Sequence, residues 1–187
     1  LGDMRLAAHF LRPSESEQVH LIETKGGGQV KVLLKGYGAK PPRVEAEPDL
    51  DNPEMEDLVG GSVLDVAGHL YQVLRGSNNL VFPNSRQKVE IYADLLRRKC
   101  ERDSVPNEFW AHHGSLSKDY REEAERALKE GTRPATAICT TTLELGIDIG
   151  SVRSICQVGS SPSVASLRQR LGRSGRRVGE AAILRAY

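Results

Sequence analysis

From residue 79 onward, short apolar runs alternate with longer polar stretches whose apolar residues recur at helical spacing. Leu80-Val81-Phe82, Phe109-Trp110-Ala111, Ala135 to Cys139, Ser154 to Val158 and Ala181 to Ala186 read as strands. Asn84 with Gln87 makes a capping-box start for a helix whose inner face is Val89, Tyr92, Ala93, Leu96 and Cys100. Ser117 to Lys129 reads as a helix ending at Gly131, and Ser163 to Leu171 as another. Strands joined through helices must pair in parallel and be covered on both faces. The expected fold class is therefore α/β, a mostly parallel sheet with helices on both faces.

The first part of the chain is less regular. Asp3 is placed to cap a short helix with Leu6, Ala7, Phe10 and Leu11 on its inner face, stopped by Pro13. Val19 to Ile22 reads as a strand, Gly26-Gly27-Gly28 as a flexible turn, and Gln29 to Lys35 as a further strand. Pro41-Pro42 then leads into an acidic run, Glu45, Glu47, Asp49, Asp51, Glu54, Glu56 and Asp57, broken by Pro48 and Pro53. Like charges and prolines argue for an extended, solvated connection, and carboxylates on such a connection make a poor preformed metal cage. Ser62 is the expected cap of a helix carrying Val63, Val66, Ala67, Leu70, Val73 and Leu74, ended at Gly76. His69 on that helix reads as packed or half-exposed, not as a ligand.

Charge narrows the function classes. Lys and Arg number 26 against 25 Asp and Glu, so a nucleic-acid partner does not follow from net charge and any basic footprint is local. Cys100, Cys139 and Cys156 are scattered with no C-x-x-C, which favours reduced, buried thiols over a disulfide or zinc site. No apolar run is long enough to span a bilayer, and the start carries no basic-then-apolar leader. A cytoplasmic chain is the expectation.

Two stretches carry chemistry. Gln169-Arg170-Leu171-Gly172-Arg173-Ser174-Gly175-Arg176-Arg177 holds four arginines and two glycines. Arginine is a permanently charged planar fork that matches phosphate oxygens, and Arg173 and Arg176 are spaced to converge within one turn. Gly172 and Gly175 permit close approach to the backbone. A solvated basic helix end explains the same nonamer equally well. The other stretch is Thr140-Thr141-Thr142-Leu143-Glu144-Leu145-Gly146-Ile147-Asp148-Ile149-Gly150, directly after the Ala135 to Cys139 strand. Hydroxyls at the carboxyl end of a parallel strand are well placed for phosphates, and Asp148 is a carboxylate suited to a ribose hydroxyl. An ordinary strand exit with a charged turn residue is the plainer alternative.

In this order the stretches resemble motifs V and VI of superfamily 2 helicases, in a form close to the Lhr (large helicase-related) group. Asn79-Leu80-Val81-Phe82-Pro83-Asn84-Ser85-Arg86 looks like motif IV, and Ala111-His112-His113-Gly114-Ser115-Leu116-Ser117 like the segment between motifs IV and V. Four ordered matches are specific where one is weak. The resemblance is strong for residues 78–187 and thin before them, although Leu1 to Pro13 is similar to the segment that follows motif III. It implies three parts: residues 1–25 as the tail of a first RecA-like lobe, 26–61 as a strand and acidic linker, and 62–187 as the C-terminal RecA-like lobe, lacking Walker A.

The resemblance also implies roles. Arg173 and Arg176 match the motif VI arginines that reach ATP across the interlobe cleft, where both would lie partly solvated in the absence of the other lobe. Gly146 and Asp148 match positions near the ribose, and Gln169 matches the opening position of motif VI. Ser85, Arg86 and Thr140 match residues facing nucleic acid. The loops after the strands place His113, Gly114, Ser115, Thr141 and Thr142 along the same edge. Such small polar groups suit a sugar-phosphate backbone, though every parallel sheet has polar loop caps. The implied cofactors are ATP and Mg2+ in a complete enzyme. The implied partners are single-stranded nucleic acid, DNA ahead of RNA, and an N-terminal RecA-like lobe. ATP would close the lobes and hydrolysis reopen them, ratcheting the strand.

The sequence has no G-x-x-x-x-G-K-S/T loop and no Asp-Glu pair ending an apolar strand, so this chain alone is expected to hydrolyse no ATP. Adjacent His112 and His113 on a strand point to opposite faces, which argues against zinc and leaves one buried and one lining the loop. Two other readings stand beside the helicase lobe: a non-catalytic nucleic-acid-binding module on the same scaffold, and an unrelated doubly wound nucleotide enzyme. The last is weakened because no strand is followed by G-x-G-x-x-G.

Overall fold

The computed structural model describes residues 4–21, 28–41, 60–144, 147–177 and 179–187. The elements are α1 (Met4–Leu11), β1 (Val30–Leu34), α2 (Gly61–Leu74), β2 (Asn79–Pro83), α3 (Arg86–Arg102), β3 (Phe109–His112), α4 (Lys118–Glu130), β4 (Thr136–Cys139), β5 (Ser154–Val158), α5 (Val164–Leu171) and β6 (Ala182–Ala186). Six strands form one sheet in the order β1-β6-β5-β2-β4-β3, and every pairing is parallel. This is the parallel α/β sheet with helices on both faces that the sequence led us to expect.

Each face of the sheet has its own core. Leu70 and Leu74 of α2 and Val89, Tyr92 and Leu96 of α3 pack with Val81, Ile138 and Cys156 on one side. Leu128 of α4, Leu143, Ile149 and Val152 pack with Leu80, Phe82 and Ile155 on the other. Each such fully buried Leu or Phe is worth roughly 1.5–3 kcal/mol against exposure. The three central strands are also pinned by one buried amide at their start. Asn79 Nδ2 donates to Thr136 Oγ1 at 3.2 Å and Ser154 Oγ donates to Asn79 Oδ1 at 2.7 Å, tying β2 to β4 and β5.

Helix starts follow serine hydroxyls. Ser85, Ser117 and Ser163 accept from the backbone amides of Lys88, Tyr120 and Ser166. Asn84 is not the cap of α3, because its side-chain amide is taken by the Ser160 carbonyl at 2.8 Å and by Gln157 at 3.3 Å. Ser62 is not the cap of α2 either: Gly60 holds that position without a side-chain bond.

The upstream segments depart further from expectation. Val30–Leu34 pairs with β6 as the edge of the main sheet, so the sheet of the lobe begins before residue 62. Residues Ser16–Gln18 form a 3-10 turn and 19–21 form no strand, with no ladder partner among the described residues; Ile22 lies outside them. On α1, Leu6, Phe10 and Leu11 are exposed and Ala8 is the buried residue, so the expected inner face is not covered by the described chain. Asp3, Gly26, Gly27 and the acidic run at 45–57 lie outside the described residues.

Candidate nucleotide and nucleic-acid edges

The loops that leave β2, β3, β4 and β5 meet at the carboxyl edge of the sheet. There Arg86 Nη1 donates to Ser115 Oγ at 2.6 Å, so α3 and the loop after β3 present one exposed polar pair. Gly114 and Thr141 are exposed beside them, and Thr140 is half-buried with its amide bonded to the His112 carbonyl. The Ser85 hydroxyl is exposed but already caps α3. Thr142 faces inward: its Oγ1 lies 2.8 Å from His112 Nδ1 and 3.2 Å from the His112 carbonyl.

Both histidines are buried, each 1% exposed, where one had been expected to line the loop. They do point to opposite faces. His112 Nε2 meets Glu125 of α4 at 2.9 Å, and His113 Nε2 meets Glu90 of α3 at 2.9 Å. The Ser115 amide donates to His113 Nδ1, so that ring carries its proton on Nε2 and gives it to Glu90. His113 therefore holds the Gly114-Ser115 turn from beneath and does not reach the surface. Both sheet faces are covered by helices, so alternation decided direction without deciding exposure.

The arginine stretch separates into unlike members. Arg170 is buried: its Nε and Nη2 both donate to Glu144 Oε2 at 3.0 Å, its Nη1 donates to Gln157 Oε1 at 2.5 Å, and its guanidinium lies 4.6 Å from the Phe82 ring centre. Ser166 donates to the other Glu144 oxygen at 2.8 Å. Arg173, 7% exposed, gives its Nε to the Glu144 carbonyl at 3.1 Å and its Nη1 to the Ile147 carbonyl at 2.6 Å. It is not partly solvated as expected. Burial, and then the nearby charge of Arg176, pull its pKa down from the ordinary arginine value. Arg176 is exposed, with one bond from Nε to the Gly172 carbonyl at 3.0 Å.

Asp148 is 74% exposed and is held by Lys129 Nζ at 3.1 Å and the Gly150 amide at 3.4 Å. The Lys129 bond is the main cause of its lowered pKa, with Arg176 adding a smaller pull. Arg176 and Asp148 are both exposed. Gln169 is exposed on α5, and Gly146 lies outside the described residues. Gly175 sits at φ 65°, and a Cβ there would come within 2.5 Å of the Ala182 amide nitrogen. The group that needs its missing side chain is the start of β6, not a ligand. Sequence reading passed over Arg170, Glu144 and Gln157. A carboxylate between Leu143 and Leu145 was the available signal, since a buried acid requires a cation.

The helicase conserved C-terminal domain family matches residues 63–178. The chain belongs to that family, with Lhr-Core helicases of superfamily 2 among its relatives. It is 31% identical over 185 residues to an ATP-dependent helicase Lhr-Core from Methanothermobacter thermautotrophicus, covering 91% of this chain and 21% of that protein. It is 36% identical over 131 residues to one from Saccharolobus solfataricus, covering 66% of this chain and 15% of that protein. The structure of Mycobacterium smegmatis helicase Lhr bound to single-stranded DNA and AMP-PNP superposes with a TM-score of 0.65 at 33% identity, over 86% of this chain and 19% of that one. The chain thus spans about a fifth or less of these relatives.

Proposed function

We propose that the chain acts as the second lobe of an ATP-dependent helicase, holding a nucleic-acid strand by its backbone at the carboxyl edge and presenting Arg176 to the ATP phosphates. The observation that carries this reading is the difference among the motif arginines. Arg170 and Arg173 are buried and spent on protein acceptors, whereas Arg176 is exposed and most of its donors have no partner among the described residues. Arg173 is better placed as a positioning residue that fixes the backbone at Glu144 and Ile147, and through it the neighbouring Asp148. ATP, when bound, supplies the free energy of phosphoanhydride hydrolysis. Exposed Arg176 and Asp148 suit a triphosphate and a ribose, and make half a site. Ligands for Mg2+ and the phosphate cradle are assigned to the first lobe, since the sequence has no G-x-x-x-x-G-K-S/T loop and no Asp-Glu pair ending an apolar strand. No described helix is long and apolar enough to cross a membrane.

Arg86, Ser115, Gly114 and Thr141, with Thr140, offer hydrogen bonds and one charge to a backbone without reading bases. The relative bound to single-stranded DNA supports DNA as the strand. The test is made in the complete enzyme. Arg176→Ala is expected to lower turnover by about 10³–10⁵ with little change in ATP affinity, and Arg176→Lys to rescue poorly for want of the planar fork. Arg173→Ala is expected to lower the melting temperature as well as turnover. Normal single-turnover hydrolysis in Arg176→Ala would remove it from the site.

A further inference from the structure

The amino-terminal edge of the sheet holds a cleft of about 790 Å³ to which the motif stretches contribute only Arg177. Five cationic side chains line it, Lys31, Lys129, Arg133, Arg153 and Arg177, against the carboxylates of Glu130 and Glu180. Such an excess is local, since the whole chain carries a net charge of +1. Arg177 is paired with Glu180 at 3.8 Å and Lys129 with Asp148 at 3.1 Å. The side chains of Lys31, Arg133 and Arg153 have no hydrogen-bond or ion-pair partner among the described residues, and all three are exposed.

Topology spreads these charges in a row. Lys31 lies on β1, Arg153 precedes β5 and Arg133 precedes β4, with the starts of β6 and β2 between them. Five neighbouring strands at about 4.8 Å span roughly 19 Å. One phosphate group does not need such a length; a sugar-phosphate backbone, with a charge about every 3.4 Å along each duplex strand, does. Among the described residues no aromatic side chain lines the cleft, so they offer charge without a surface on which bases stack. Single strands gain from stacking platforms, whereas a duplex hides its bases and presents phosphate. The cleft is also separate from the carboxyl edge. Strands of four or five residues set the two edges roughly 15 Å apart, and α4, which runs between them, carries Asp119, Glu122 and Glu123 on its exposed surface.

We propose that this cleft binds the phosphate backbone of duplex nucleic acid, as a second contact distinct from the single-strand contacts at the carboxyl edge. The proposal rests on the helicase-lobe reading and extends it to the duplex substrate. It is tested in the complete enzyme with a fluorescent blunt DNA duplex and a fluorescent oligo-dT, each titrated over a range of salt. Lys31→Ala with Arg133→Ala and Arg153→Ala is expected to weaken duplex binding at least roughly tenfold and to reduce its log–log salt slope by about 2.7, at about 0.9 per phosphate contact. Binding of oligo-dT should stay within twofold. Lys replacements at Arg133 and Arg153 should keep the slope, because a point charge suffices for counterion release. Unchanged duplex affinity and slope overturn the proposal, as does an equal loss for both probes. Arg86→Ala serves as the reciprocal control: if it leaves oligo-dT binding unchanged, the carboxyl-edge reading fails, whatever the triple variant shows.

Discussion

The junction between the loop after β4 and helix α5 contrasts with the carboxyl edge of the sheet in how its polar groups are occupied. At the junction, Arg170, Glu144, Gln157 and Ser166 are buried and bonded to one another, and Arg173 is bonded to two carbonyls. At the edge, Arg86 and Ser115 share one bond in water, and Gly114 and Thr141 are open. The junction is buried and its charged groups are bonded to protein; the edge is exposed and mostly unspent. In a low-dielectric interior a bonded charge fixes geometry and its loss is costly, while an exposed group contributes little to stability and remains available to a ligand. Two arginines three residues apart can therefore do opposite work, and burial rather than motif position assigns them.

The largest effect on stability expected from this contrast is at Arg170. Removing one partner of a buried ion pair costs about 3–5 kcal/mol, because the other charge is left without compensation. Arg170→Ala should shift the urea midpoint accordingly. Arg170→Met combined with Glu144→Leu removes both charges and should recover most of the loss, with Ser166 and Gln157 each giving up one bond. If Arg170→Ala alone costs less than about 1 kcal/mol, the junction is not the buried network described.

The same contrast explains which parts were legible in the sequence. Strands β2 through β6 fall within a residue or two of their apolar runs, since strands covered by helices are mostly apolar. The place of β1 was not legible, because the partner that makes it part of the sheet is β6, at the far end of the chain. The arginines could be listed but not sorted. What buries Arg170 and Arg173 is Glu144 and the Ile147 carbonyl, which lie in another loop and are brought in only by the fold. Exposure at the carboxyl edge was legible as a set of loop ends, yet His113 turned inward to Glu90 of α3 and Thr142 turned to His112 of β3.

Ser85 tests the border between the two kinds of region. Its hydroxyl is at the edge, but as an acceptor it is spent on the Lys88 amide at 3.2 Å. Ser85→Ala should cost about 1 kcal/mol, the usual loss for an N-cap. Oligo-dT affinity in the complete enzyme should fall less than it does for Arg86→Ala. A variant with full stability and a large loss of affinity would move Ser85 from the helix cap to the ligand surface.

The smallest effect is expected at His69, a group between the two extremes. It is half-buried against Tyr187, with its Nδ1 3.2 Å from Lys35 Nζ. Burial first, and then the charges of Lys35 and Arg185, hold its pKa below the ordinary histidine value of 6.5. Near neutral pH the ring is neutral and accepts from Lys35, which adds a bond to the corner where α2 meets β1 and β6. In the unfolded chain the same ring takes a proton as the pH falls through about 6.5. The unfolded state then binds more protons than the folded one, so stability rises with pH across that window. The stabilisation is present above pH 6.5 and is lost as the pH drops through the lowered folded value. Melting curves of the wild type should therefore show a shallow decline below pH 6.5 that His69→Gln reduces, by less than the Ser85→Ala effect because the ring is partly screened by water. A decline that is identical in His69→Gln would assign the acid sensitivity to other groups, and an increase in wild-type stability on acidification would mean that His69 is protonated and bonded to an acceptor in the fold.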